Sequence, residues 1–172
     1  KQLDSMADMV TFGVAPGMIS FQELNWSLSW SEIKDPNLFP AILAFLLPVF
    51  SAIRLAKFNI DSKQTNSFIG VPTPVIAVLV AAIPLIDTSL FPLFLDLRFL
   101  TLLTIILPLL LIIKIPLFSL KISKEESLSS RLNIFRITLI LASVILLFVF
   151  QFSAIPFIVI LYLILSLLNN IL

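Results

Sequence analysis

Residues 132–172 read LNIFRITLILASVILLFVFQFSAIPFIVILYLILSLLNNIL. This stretch carries one charged side chain, Arg136, and divides into two apolar runs, about Leu132 to Phe152 and about Ile155 to Leu172. A membrane span needs about 20 mostly apolar residues, and each run is of that order. The connecting QFSAIP is too short to do anything but turn the chain back. An antiparallel pair of membrane helices is therefore expected here, and the fold class follows from it.

The rest of the chain agrees with that class. Of 172 residues, 59% are hydrophobic and only 12% charged, and mean hydropathy is +1.13. Soluble domains average about 25% charged residues. Four more spans precede the pair: about Asp4 to Phe21, Leu38 to Phe58, Pro72 to Ile86 and Leu97 to Leu117. The expectation is an all-α polytopic membrane protein, one transmembrane helical domain over 1–172 with about six spans. No internal repeat is visible. Without Cys, disulfides, zinc thiolates and thiol nucleophiles are excluded. Without His, acid–base work near neutral pH falls to carboxylates, Lys or a metal-bound group. A net charge of +1 with no basic block argues against a nucleic-acid partner.

The cations are unevenly shared. With Lys1 on one side, six spans put Arg54, Lys57, Lys63, Lys114, Lys121, Lys124, Arg131 and Arg136 there too, nine of eleven in all. The other side receives Lys34 and Arg98 beside the acids Glu23, Glu32, Asp35, Asp87 and Asp96. Positive loops stay inside, so the Lys1 side is expected in the cytoplasm and the protein in the cell (inner) membrane.

That side carries the polar motifs. KQLDSMADMVTFGVAPG, residues 1–17, places Asp4 and Asp8 four apart on one helix face at the head of a span. Like charges so close repel unless a cation lies between them, and ionisable residues in a span are functional candidates. Oxygen ligands suit Mg²⁺ or Mn²⁺. The alternative is that both acids favour the helix N-terminus, which explains Asp4 better than Asp8 because the dipole effect fades after one turn. Gly13 admits a close helix neighbour, and Pro16 with Gly17 is expected to kink or loosen the outer end of the span. SAIRLAKFNID, residues 51–61, sets Arg54 and Lys57 on one face with Asn59 following. They read either as C-terminal cations reaching the headgroups or as a site for a carboxylate or phosphate. FIGVPTP, residues 68–74, re-enters the membrane on the same side, where Gly70, Pro72 and Pro74 make a stiff entry.

KQLDSMADMVTFGVAPG, AIRLAKFNI, FIGVPTP and IPLFSLK together, in this order, resemble the bacterial phosphatidylserine synthases of the CDP-alcohol phosphatidyltransferase superfamily. Residues 1–8 match the x3-D-x3-D end of the superfamily pattern D-x2-D-G-x2-A-R…G-x3-D-x3-D; its earlier portion is not in this sequence. The resemblance implies transfer of a phosphatidyl group from CDP-diacylglycerol to L-serine, giving phosphatidylserine and CMP in phospholipid biosynthesis. It implies a two-ion Mg²⁺ or Mn²⁺ site with Asp4 and Asp8 as ligands and Asp8 also as the base. Arg54, Lys57 and Asn59 become substrate-binding residues, and Gly13, Gly70, Pro72 and Pro74 shape the site. It further implies about eight spans in a complete member, membrane lipids as surroundings and homodimers as a frequent assembly. The 172 residues alone, with half of the metal ligands, are expected to be inactive. The same chemistry on glycerol phosphate or inositol phosphate stands as an alternative. A transporter or structural membrane subunit, with Asp4 and Asp8 as an ion relay, is a rival of another class.

Overall fold

The computed structural model describes residues 2–30, 39–60, 68–113, 116–117 and 131–171. Lys1, Lys34, Lys63, Lys114, Lys121 and Lys124 of the charge count lie outside them. The described chain is all-α. Helix α1 (Gln2–Met9) passes through a π-helical turn (Val10–Val14) into α2 (Ala15–Trp30). Then come α3 (Phe39–Ile42), a 3₁₀ turn (Leu43–Phe45) and α4 (Leu46–Ile60). After them follow α5 (Thr73–Ala82), α6 (Leu97–Ile112), α7 (Arg131–Phe150) and α8 (Ala154–Ile171). One minimal antiparallel ladder joins β1 (Phe68–Ile69) to β2 (Pro116–Leu117), pairing Phe68 with Leu117 and Ile69 with Pro116.

Two helical stretches are long and apolar enough to cross a membrane, Phe39–Ile60 and Leu132–Asn169; Thr73–Leu85 and Leu97–Ile112 are apolar but shorter. The second stretch is not straight. Gln151 adopts φ +49°, and a 3₁₀ turn over Gln151–Ser153 folds α8 back along α7. The expected antiparallel pair is present. The outer face of α7 is apolar and bare: Ile140, Leu141, Val144, Ile145 and Val149 are more than half exposed, and Phe148 is 91% exposed. A face so large and apolar is stable against lipid and would drive aggregation in water.

The core lies where α2, α4, α5, α6 and α8 meet. Leu47, Val71, Ile76, Leu79, Val80, Leu107, Leu111 and Val159 form its centre. A second cluster joins Leu24 and Leu28 of α2 to Ala41, Ala44, Ile83 and Leu100. Small residues let the backbones approach, as expected where lipid supplies no hydrophobic drive between helices. Ala41 and Ala44 are fully buried, and a Cβ on Gly17 would come within 3.0 Å of Pro48 Cδ.

Two boundaries differ from the sequence expectation. The first helix does not end near Phe21 but runs to Trp30, since nothing between Phe21 and Trp30 breaks it. It stays α-helical through Pro16 and Gly17. The irregularity comes one turn earlier, where Ala15 N–H donates to Val10 O across a π turn. A proline has no N–H to give, and the wider turn just before it absorbs the mismatch. The fourth span stops at Ile112 rather than Leu117. Ile113 turns extended, with ψ 129°, and Pro116 and Leu117 enter the ladder.

The two ends of the bundle are distinct. At one, the Asp87 N–H donates to the buried Ser153 hydroxyl at 2.8 Å. Phe91 there packs between Phe150 and Phe157, with ring centroids 5.8 Å and 5.1 Å away. At the other end lie the start of α1, the end of α4 and the ladder.

Candidate functional site

The site is built on α1 and α4, which run antiparallel. Three contacts report one register. The Asn59 side-chain amide donates to Ser5 Oγ at 2.8 Å. A Cβ on Gly13 would stand 3.0 Å from Ser51 Cβ and Oγ, and one on Gly17 3.0 Å from Pro48 Cδ. In that register Asp8 lies level with Ala56. Arg54 and Lys57 are then within about one turn, ~5.4 Å along the axis, of the Asp8 level. The amphipathic start of α1 and the polar end of α4 are thereby placed side by side.

Asp4 is exposed and Asp8 partly exposed, one turn apart on the same helix. Their four oxygens are the donor set of a hard cation. Among the described residues no group of three or more His, Cys, Asp or Glu could hold a metal. Two carboxylates fit such an ion but leave most of its coordination to water, substrate or other ligands.

Arg54 is half-buried, and its Nε has no hydrogen-bond partner; the same holds for the fully buried Ser51 Oγ one turn earlier on α4. Lys57 and Asn59 are exposed. The spacing that put Arg54 and Lys57 on one face thus yields one sheltered and one open cation. Cations near a helix C-terminus are favoured there and are placed to meet an anion.

Gly70 and Pro72 stand at the entrance to α5. Gly70 has φ +86°, a conformation that costs other L residues about 1–2 kcal/mol. A Cβ on it would lie 3.1 Å from Ile113 O and 3.4 Å from Leu111 O, so the turn is pressed against the end of α6. Pro72 caps α5, its carbonyl accepting from Val75 N–H at 3.0 Å, while the exposed Pro74 occupies the first turn. Helix α5 packs against the π turn that carries Gly13.

The structure therefore unites Asp4, Asp8, Arg54, Lys57 and Asn59 on one helix pair. Gly13 is a point of close approach, and Gly70 and Pro72 belong to the adjoining helix entrance. Ser5 and Ser51 escaped the sequence reading. Ser51 lies three residues before Arg54 and hence on its face, a signal that was available. Ser5 had none, because its partner is 54 residues away.

Against known proteins, the chain is 38% identical over 90 residues to a CDP-diacylglycerol–serine O-phosphatidyltransferase of Helicobacter pylori (strain J99), covering 51% of this chain and 35% of that protein. It is 36% identical over 74 residues to the Bacillus subtilis (strain 168) protein of the same name, covering 43% of this chain and 37% of that one. It is 29% identical over 82 residues to the archaetidylserine synthase of Methanothermobacter thermautotrophicus, covering 48% of this chain and 31% of that protein. No protein-family model matches the chain. The matched stretches span 31–37% of the length of these curated relatives. They bear out the resemblance to phosphatidylserine synthases of the CDP-alcohol phosphatidyltransferase type.

Proposed function

We propose that this chain carries part of the active site of a CDP-diacylglycerol–serine O-phosphatidyltransferase. The observation that carries the reading is the α1–α4 pairing, which sets two carboxylates and two cations at one end of an apolar bundle. The relatives support the acceptor: each is named for a serine product or substrate. Glycerol phosphate and inositol phosphate have no such support.

Asp4 and Asp8 would hold divalent ions, Mg²⁺ or Mn²⁺, with the rest of the coordination coming from ligands other than these two carboxylates. Bound ions would neutralise the pyrophosphate and polarise its phosphorus. Asp8 takes the proton of the serine hydroxyl as that oxygen bonds to the β-phosphorus. The bond from this phosphorus to the CMP oxygen breaks, and CMP leaves. Arg54 and Lys57 receive the anionic group of serine or a phosphate oxygen, and Asn59 holds α1 against α4 through Ser5. Gly13 keeps the two helices close, and Gly70, Pro72 and Pro74 shape the entrance.

Six spans cross the membrane. The 20 residues of α7 and the 18 of α8 each rise about 27–30 Å at 1.5 Å per residue, close to a ~30 Å hydrocarbon core, and so count as two spans. The helix of residues 2–30, α3–α4, α5 and α6 make the other four. The charge distribution favours a cytoplasmic active site in the inner membrane. Homodimerisation belongs to the same reading.

The test is transfer from labelled CDP-diacylglycerol to serine, glycerol phosphate and inositol phosphate by the complete protein. Serine alone should accept. Asp8→Asn should lower CMP release by about 10²-fold or more, the scale of general-base catalysis, without lowering the unfolding temperature. Wild-type turnover in that variant ends the assignment. A cysteine at position 124 should be labelled from the cytoplasmic side only.

A further inference from the structure

A second polar feature lies at the opposite end of the first helix. Glu23 of α2 is 15 residues beyond Asp8, about 22 Å along a helix axis. It forms one wall of a pocket of ≈ 480 Å³ with Trp26 and Ser27 of α2, Phe94 and Leu95 of the 3₁₀ turn Pro92–Leu95, and Leu100 of α6. The Ser27 hydroxyl donates to Leu95 O at 3.0 Å and fixes the spacing of the walls. Glu23 also borders a smaller cavity of ≈ 10 Å³ shared with Ser20 and Thr104, about the room one water needs. The carboxylate is half-buried, and among the described residues it makes no hydrogen bond or ion pair.

An unmatched carboxylate in a wall otherwise aromatic and aliphatic selects its ligand by charge. Leu95, Leu100 and the rings favour apolar chain. Trp26 and Phe94 favour a cation over a neutral group through their π faces. An anionic headgroup would be repelled by Glu23, and a sugar or glycerol headgroup would leave it uncompensated. Trp26 is 53% exposed, so the pocket opens at the bundle surface, and its apolar lining suits a lipid in a chain with two helical stretches apolar enough to cross a membrane among the described residues.

We infer that this pocket holds the ammonium headgroup of a membrane lipid, with the Glu23 carboxylate as counter-ion and Trp26 and Phe94 as flanking rings. The site is separate from the Asp4–Asp8 centre and independent of the transfer reaction assigned to it.

The test uses native mass spectrometry of the chain released from vesicles holding equal amounts of phosphatidylethanolamine and phosphatidylglycerol with identical acyl chains. The chain should retain phosphatidylethanolamine in about threefold or greater excess, the scale of a partly desolvated cation–π and ion contact. Glu23→Gln, which keeps shape and removes charge, should bring the two lipids to parity. Leu100→Trp, which fills the pocket and leaves Glu23 in place, should lower the excess as well. Parity in the unmodified chain, an undiminished excess in Glu23→Gln, or an undiminished excess in Leu100→Trp would each overturn the assignment.

Discussion

The Asn59 amide donates to the Ser5 hydroxyl at 2.8 Å, and this bond ties the last turn of α4 to the helix turn that bears Asp4 and Asp8. The two residues are 54 positions apart. Their pairing places the acids of the chain's start beside the cations of its second long helix. If the bond sets that register, Ser5→Ala and Asn59→Ala should be non-additive. A double-mutant cycle on unfolding in detergent should give a coupling of about 0.5–1 kcal/mol, the usual net worth of one hydrogen bond near solvent. In the complete protein either variant should raise KM for serine more than it lowers kcat. Strict additivity with unchanged KM would remove Asn59 from the site.

Gly13, in the π turn that follows α1, lies close against α4. A Cβ there would sit 3.0 Å from Ser51 Cβ and 3.3 Å from Pro48 Cα. Pro48 belongs to the backbone of α4 and yields little. Gly13→Ala should therefore destabilise the fold by about 1–3 kcal/mol, the range for overpacking a tight interface. Thermal unfolding in detergent measures it. An unchanged midpoint would mean that α1 and α4 can separate freely.

Gly70 is constrained twice, by φ +86° and by the carbonyls of Ile113 and Leu111. Gly70→Ala should cost about 1–2 kcal/mol from the backbone conformation alone. Its effect should concentrate on the β1–β2 ladder and the entrance of α5. Amide hydrogen exchange should show faster exchange around residues 68–76 and little change in α7. Uniform acceleration everywhere would contradict a local role.

At the opposite end, the Ser89 hydroxyl and backbone N–H both donate to Asp87 Oδ1, at 2.6 Å and 2.9 Å. These bonds hold the Asp87 carboxyl below the usual carboxylate range. A depressed folded value means that the ionised group steadies the loop above the unfolded pKa. That contribution is lost as pH falls through the folded value. Ser89→Ala should move the Asp87 titration upward, toward the ordinary value, as read by carboxyl ¹³C shifts. An unmoved titration would show that Ser89 does not hold the charge.

Much of this was legible because the bilayer is a demanding solvent. A buried backbone must satisfy its hydrogen bonds within a helix, so the apolar runs declared themselves, and QFSAIP could only be a turn. The acid pair and the cation pair were legible for a related reason: charge is rare in such a chain. What local reasoning misplaced was the effect of proline. A π turn lies one turn before Pro16, and the extended Ile113 ends α6 early. Both depend on where a carbonyl left without its partner finds another, which is a matter of neighbours.

Composition and spacing by themselves determined the helical membrane class, the antiparallel end of the chain and the two residues, Asp4 and Asp8, that share a helix face. Only the tertiary structure decided that Ser5 meets Asn59, that Gly13 meets Ser51, and that Asp8 therefore stands level with the end of α4. Periodicity fixes which way a side chain points around its own helix. The height at which one helix stands against another is set by contacts far apart in sequence, and here small residues and one hydrogen bond set it.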